Sequence, residues 1–229
     1  MKYQEIIFEK KPPIAYITLN RPEKLNTLSP EIQHEINDAA LDIWDDPNIR
    51  VFVIKGTGRC FCAGFDVSMT DIASTGQVSE EVLTDDTAAG IRQNRKEEAW
   101  STTIARLLPK NAREQTEGRG DWRSNIWNNP KISIAMVHSY CLGAGLMLVN
   151  ACDLCVCSED ALFAYPPIRY GSSVIFSILP PWFLGVRKIK EMAYTGNMID
   201  SHDAYNCGLV NRVMPMDKLE DEVNRLARV

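Results

Sequence analysis

The sequence predicts an α/β domain with a covered, largely parallel sheet, and three observations point there. Residues 14–19 and 51–54 are short, nearly continuous apolar runs, the pattern of strands buried on both faces. Between them Ile32, Ile36, Ala39, Ala40 and Ile43 recur at helical spacing, which makes a strand, helix, strand crossover. A second strand, helix, strand succession follows at 132–137, 143–152 and 154–157.

Taken in order, residues 3–8 alternate, break at Lys10-Lys11-Pro12-Pro13 and resume at 14–19, a strand, turn, strand signal. Ser29 and Pro30 have the chemistry of a helix N-cap and first helical position, and Asp45-Asp46-Pro47 ends that helix. The strand at 51–54 runs into the loop Lys55-Gly56-Thr57-Gly58. Residues 71–129 read as polar and irregular, with a helical portion at 87–108 and loop chemistry at 109–120. The sharp pattern returns with the strand at 132–137, a glycine-opened helix at 143–152 and a strand at 154–157. Helices are expected at 175–183, 186–194, 201–207 and 217–227, with a strand at 209–214. No internal repeat or low-complexity segment interrupts this order.

Of the 229 residues, 45% are hydrophobic and 24% charged, which excludes a disordered chain and a disulfide-stapled miniprotein. The formal net charge of −5 gives no cationic field for gathering nucleic acid or anionic membrane. The first eleven residues lack the features of a signal peptide, and no stretch reaches the roughly 20 apolar residues of a membrane helix, so a cytoplasmic protein is expected. The seven cysteines cluster inside apolar runs (Cys60, Cys62; Cys152, Cys155, Cys157) and read as reduced, buried thiols. No metal site is expected: Cys152-x-x-Cys155 needs two further ligands, and His34, His138 and His202 repeat no ligand spacing. His138, at the end of a strand, reads as a core histidine.

Two glycine turns are the first candidates for chemistry. Cys62-Ala63-Gly64-Phe65-Asp66 follows one core strand, and Leu142-Gly143-Ala144-Gly145 follows another and opens a helix. Small residues there let backbone approach a ligand, and the free N–H groups of a helix N-terminus favour negative charge. Neither turn is a dinucleotide or phosphate-loop fingerprint, and no G-x-S-x-G elbow supplies a serine nucleophile.

The order of these segments resembles the crotonase (enoyl-CoA hydratase/isomerase) superfamily over nearly the whole chain. The resemblance runs through Ile17-Thr18-Leu19-Asn20-Arg21-Pro22-Glu23-Lys24-Leu25-Asn26, Phe61 to Asp66, Pro130-Lys131 to His138 and Cys141 to Gly145. It continues through Ala151-Cys152-Asp153-Leu154, Ser158-Glu159-Asp160-Ala161 and Thr195-Gly196 to Gly208-Leu209-Val210-Asn211. It implies an α/β fold of stacked βαβ turns with C-terminal helices, assembled as a trimer or hexamer. Residues 1–195 would be the core domain, carrying a long insertion at 71–129 as a possible lid. Residues 196–229 would be the start of a C-terminal helical region, shortened relative to the family.

The resemblance further implies acyl-coenzyme A thioester substrates, coenzyme A entering as part of the substrate and no prosthetic group. The backbone N–H groups of Phe65 and Ala144 would form an oxyanion hole. Lys24, Leu25 and Ala63 match positions that meet the coenzyme, while Asp66, Gly143, Met147 and Pro167 line the expected substrate site. Met147 and Pro167 stand where hydratases of the family carry two glutamates, and neither side chain transfers a proton. Tyr165, Arg169 and Tyr170 flank the second of these positions and are candidates to hold a carboxylate or polarise a carbonyl. The implied function is an enoyl-CoA hydratase/isomerase-family lyase acting through a stabilised thioester enolate or oxyanion. The alternatives are a decarboxylase, a carbon–carbon bond or thioester hydrolase, or a catalytically weakened acyl-CoA binding protein.

Overall fold

The computed structural model describes residues 3–66, 121–166 and 184–228. A six-stranded sheet organises them, in the order β1-β2-β3-β4-β6-β9. Its strands are β1 (Ile6–Lys11), β2 (Ile14–Leu19), β3 (Val51–Gly56), β4 (Ile132–Val137), β6 (Leu154–Ser158) and β9 (Arg212–Met214). β1 pairs antiparallel with β2, and every later neighbour is parallel. A smaller sheet joins β5 (Tyr140–Leu142), β7 (Leu162–Ala164) and β8 (Ile199–Asp200). β4 and β6 are thus each followed by a short strand of the second sheet, and β5 pairs parallel with β7 as β4 pairs with β6. These are the stacked turns expected from the resemblance.

Strand alternation sends side chains to two clusters. Ala15, Ile17, Leu19, Phe52, Ile54, Ala135, Val137, Cys155 and Cys157 enter the main core, where α1 (Pro30–Asp45) and α3 (Ala144–Ala151) bury their apolar residues. Ile14, Tyr16, Val51, Val53, Ile134, Met136 and Val156 go to the other face. There they meet Leu219, Val223 and Ala227 on and just after α6 (Met216–Leu226). In α1, the Ser29 hydroxyl accepts the Ile32 N–H at 3.1 Å with Pro30 at the first helical position, a cap worth about 1 kcal/mol.

Several elements depart from the sequence expectation. The first strand lies at Ile6–Lys11 rather than 3–8, because Lys10 reaches Asp46 at 2.8 Å and Asp42 at 2.9 Å and so tolerates the edge strand. The strand expected at 209–214 is confined to Arg212–Met214. Leu209 and Val210 instead donate to the Ala204 carbonyl, closing α5 (Ser201–Asn206). α2 (Trp122–Trp127) falls in the stretch read as irregular, and its Trp122 indole donates to Gln33 Oε1 at 3.3 Å. α4 (Val186–Thr195) agrees with the expected helix. The expected helices at 87–108 and 175–183 and the loop at 109–120 lie outside the described residues. Met1–Phe65 and Trp122–Val229 belong to one compact unit, with Asp66–Asp121 as a second. Among the described residues no helix is long and apolar enough to cross a membrane.

One side chain ties the N-terminal loop to the end of β3. Asn26 is fully buried; its Oδ1 accepts the Arg21 N–H at 2.9 Å, and its Nδ2 donates to the carbonyls of Thr57 at 2.8 Å and Cys60 at 2.7 Å. Asn26→Ala leaves one donor and two acceptors without their partner. It is expected to cost about 3 kcal/mol, read as a lower urea midpoint at unchanged slope.

Candidate active site

The two glycine turns meet beside the small sheet. Cys62 extends that sheet by one rung: its N–H donates to the Tyr140 carbonyl at 3.1 Å, and the Leu142 N–H donates back at 2.9 Å. The chain is next held to the N-terminal loop, with Ala63 N–H on the Leu25 carbonyl at 3.0 Å and Leu28 N–H on the Gly64 carbonyl at 2.8 Å. In the second turn the Gly143 N–H donates to the Ala164 carbonyl at 2.9 Å, and the Met147 N–H closes the first turn of α3 onto the Gly143 carbonyl at 3.2 Å.

Glycine is required where the turns touch. Gly64 has φ +114° and Gly143 has φ +53°. A Cβ on Gly143 would lie 3.7 Å from Gly64 Cα, and one on Gly64 would lie 3.8 Å from the Ala144 nitrogen. Gly145 then seats α3 against the first turn, since a Cβ there would stand 2.7 Å from the Cys62 carbonyl oxygen. Among the described residues no protein acceptor takes the Phe65 or the Ala144 N–H. Both donors therefore belong to neighbouring turns, joined by the Leu142 N–H to Cys62 carbonyl bond, and Ala144 also carries the positive end of an eight-residue helix. Such an arrangement favours an oxygen that gains negative charge.

Around it, Leu25 (φ +52°) and Ala63 are half-buried and hydrogen-bonded to each other, whereas Lys24 is exposed at the end of the 3₁₀ turn Pro22–Lys24. Phe65 and Met147 are partly buried against the main core. Asp66, which follows Phe65, is half-buried. Tyr165 is 5% exposed and directly follows Ala164, the residue that holds Gly143. Burial pushes its phenol up to about 12 against the nearby positive charge of Arg123, so at neutral pH it is a proton-bearing hydroxyl and not a base. Pro167, Arg169 and Tyr170 lie outside the described residues.

The thiols are structural. Cys60, Cys62, Cys141, Cys152, Cys155 and Cys157 are free and buried, and burial pushes Cys62 up to about 12, far from a thiolate nucleophile at neutral pH. Among the described residues no cluster of three His, Cys, Asp or Glu side chains is placed to hold a metal. His138 is a core residue whose Nε2 lies 3.0 Å from the Gly58 carbonyl.

Three buried polar residues escaped the sequence reading. Asn26 stood inside a quoted motif without a role. Glu35 shares the buried face of α1 and accepts the N–H groups of Gln4, Glu5 and Ile6 at 2.5, 2.9 and 2.9 Å; a carboxylate beside Ile32 and Ile36 was its signal. Asn150, an amide in the apolar run of α3, is the third.

Comparison with known proteins agrees with this geometry. The family model described as enoyl-CoA hydratase/isomerase matches residues 14–229. A putative enoyl-CoA hydratase of Mycobacterium tuberculosis is 33% identical, over 94% of this chain and 64% of its own length. A crotonyl-CoA hydratase of Syntrophomonas wolfei is 28% identical, over 99% of this chain and 75% of its own. The crystal structure of an enoyl-CoA hydratase/isomerase from Xanthobacter autotrophicus superposes with a TM-score of 0.76 at 28% identity, covering 99% of this chain and 73% of that one. With its stacked turns and its two touching glycine corners, the chain belongs to the enoyl-CoA hydratase/isomerase family of the crotonase superfamily.

Proposed function

We propose that the protein is an acyl-CoA-processing enzyme that binds a thioester carbonyl between the N–H groups of Phe65 and Ala144. The observation that carries this reading is that the Phe65 and Ala144 N–H groups, in neighbouring glycine turns, have no protein acceptor among the described residues. Crotonyl-CoA hydratase among the relatives supports the thioester class. When the carbonyl becomes an enolate or a tetrahedral oxyanion, its oxygen gains charge, and each fixed donor contributes about 3 kcal/mol more to that state than to the ground state. Lys24, Leu25 and Ala63 lie on the coenzyme side of this reading, and coenzyme A enters only as part of the substrate.

Met147 and Pro167 give the reaction its direction. A water addition run by two carboxylates lacks both proton carriers at these positions, a loss worth about 100- to 10,000-fold for each positioned acid or base. The site therefore suits steps in which the enolate or oxyanion arises without them. In loss of carbon dioxide from a β-carboxyl thioester, the electron pair of the breaking carbon–carbon bond flows into the carbonyl. Hydrolysis of a carbon–carbon or thioester bond instead proceeds through attack by water on a carbonyl. Tyr165, buried next in sequence to the residue that anchors Gly143, keeps its proton at neutral pH and is the candidate donor among the described residues. Trimeric or hexameric assembly belongs to the same proposal, and sedimentation giving only monomer at working concentration counts against it.

The deciding experiment is turnover of enoyl-, β-keto-, malonyl-type and cyclic β-keto-CoA esters, read by product mass. Loss of 44 mass units or cleavage of the acyl chain is the expected result; efficient hydration of simple enoyl-CoA overturns the assigned reaction direction. Binding of every ester without turnover makes the protein an acyl-CoA binder, and no binding of any ester ends the thioester reading. In a turnover-competent protein, Gly145→Ala is expected to lower kcat/KM about 100-fold, because a Cβ at 2.7 Å from the Cys62 carbonyl forces α3 and its Ala144 N–H out of place.

A further inference from the structure

The N-terminal loop bonded to the first glycine turn carries a bend that leucine disfavours. Leu25 and Asn26 both have φ +52°, the left-handed region that a leucine rarely enters, so the bend is held from outside. The Asn26 amide supplies that hold. Its Oδ1 takes the Arg21 N–H within the loop, and its Nδ2 reaches the carbonyls of Thr57 and Cys60 beyond β3. The strand end makes room for it: a Cβ on Gly56 would stand 2.9 Å from Nδ2.

The amide grips the chain at Cys60, just before the first turn, while its neighbours in the loop grip the turn itself. The Leu25 carbonyl accepts the Ala63 N–H at 3.0 Å, and the Leu28 N–H donates to the Gly64 carbonyl at 2.8 Å. The second bond aims a candidate donor. The Gly64–Phe65 peptide is trans and planar, so its C=O and N–H point in opposite directions, and fixing the Gly64 carbonyl on Leu28 also fixes where the Phe65 N–H points. Leu28 is 1% exposed and forms a parallel bridge with Phe65, which leaves it little freedom to follow a displaced turn. The Ala144 donor has separate support, since the Gly143 carbonyl takes the Met147 N–H inside α3.

We propose that Asn26 is a positioning residue for the Phe65 donor, acting through the Leu25 and Leu28 bonds and meeting no substrate itself. This rests on the thioester reading above and places one of its two donors under the control of a fully buried side chain. The amide holds the bend, the bend places Leu28, and Leu28 aims the Gly64–Phe65 peptide. Without the amide both turns persist, but the carbonyl of a bound ester is polarised by the Ala144 N–H alone. A fixed donor acts through its direction, so a small rotation of that one peptide is enough to lose it.

The test reads the carbonyl directly. Hexanoyl-CoA labelled with carbon-13 at the thioester carbonyl is bound at saturation to the full chain and to Asn26→Gly, and the labelled stretch is followed by infrared difference spectroscopy. Glycine takes φ +52° without strain, so this variant removes the amide and leaves the bend available. Unaltered protein is expected to lower the stretching frequency, and Asn26→Gly to lose about half of that downshift, one donor of two. Leu219→Ala, in the core on the other face of the sheet, is expected to lower the urea midpoint and leave the downshift whole. A full downshift in Asn26→Gly overturns the proposal, and so does an equal loss in Leu219→Ala, which makes the effect a general loosening. If Asn26→Gly does not fold, Asn26→Asp, which keeps the acceptor for Arg21, is read in its place; failure of both to fold assigns the amide to the fold alone and overturns the proposal as well. No binding by unaltered protein, or binding with no downshift, ends the thioester reading and this proposal with it, so the two failures are told apart.

Discussion

A sheet of five mutually parallel strands cannot leave a face to water, and that constraint organises the rest of the molecule. β2, β3, β4, β6 and β9 alternate strictly, so half their side chains need one cover and half another. The main core supplies the first through α1, α3 and the small sheet, and α6 supplies the second through Leu219 and Val223. Parallel pairing also forbids tight hairpins, so each strand must leave the sheet and return. The short strands β5 and β7 lie on those return paths, and the glycine corner at Gly143 sits at the end of one of them. The candidate site is thus a by-product of how the chain gets from one strand to the next.

Polar side chains at the seams fix where those returns pass. Asn26 clamps the N-terminal loop to the carbonyls after β3, and Glu35 gathers three N–H groups at the start of β1 onto α1. Arg21 holds Glu5 at 3.0 Å while donating to the Thr27 carbonyl at 2.8 Å, and the Ser29 hydroxyl donates to the same Glu5 carboxylate. The loop bearing Leu25 and Leu28 is thereby set before it meets Ala63 and Gly64.

The legible part of this protein was the part with a period. The apolar runs of β2 and β3 and the spacing of Ile32, Ile36, Ala39 and Ile43 are long enough to state a strand or a helix unaided. β5, β7 and β8 are two or three residues long and have no period to read; their pairing is decided by what lies across from them. Gly64 and Gly143 were visible as turns, yet that the two turns touch is a tertiary fact between residues about eighty positions apart. α2 was hidden in a polar stretch because only Trp122, Asn125 and Ile126 of its six residues are buried. Asn150 was passed over because a single amide hardly disturbs the apolar count of a short helix.

The two donor groups at the glycine corners are main chain, and this bears on how such a protein changes over generations. A side-chain catalyst is erased by one base change in its codon, whereas an amide N–H survives nearly every substitution at its own position. What must persist is the bend, held by Gly64, Gly143 and the seat at Gly145. Mutation at Met147 or around Tyr165 therefore leaves the pair of main-chain N–H groups in place, because that pair is passed on as a conformation.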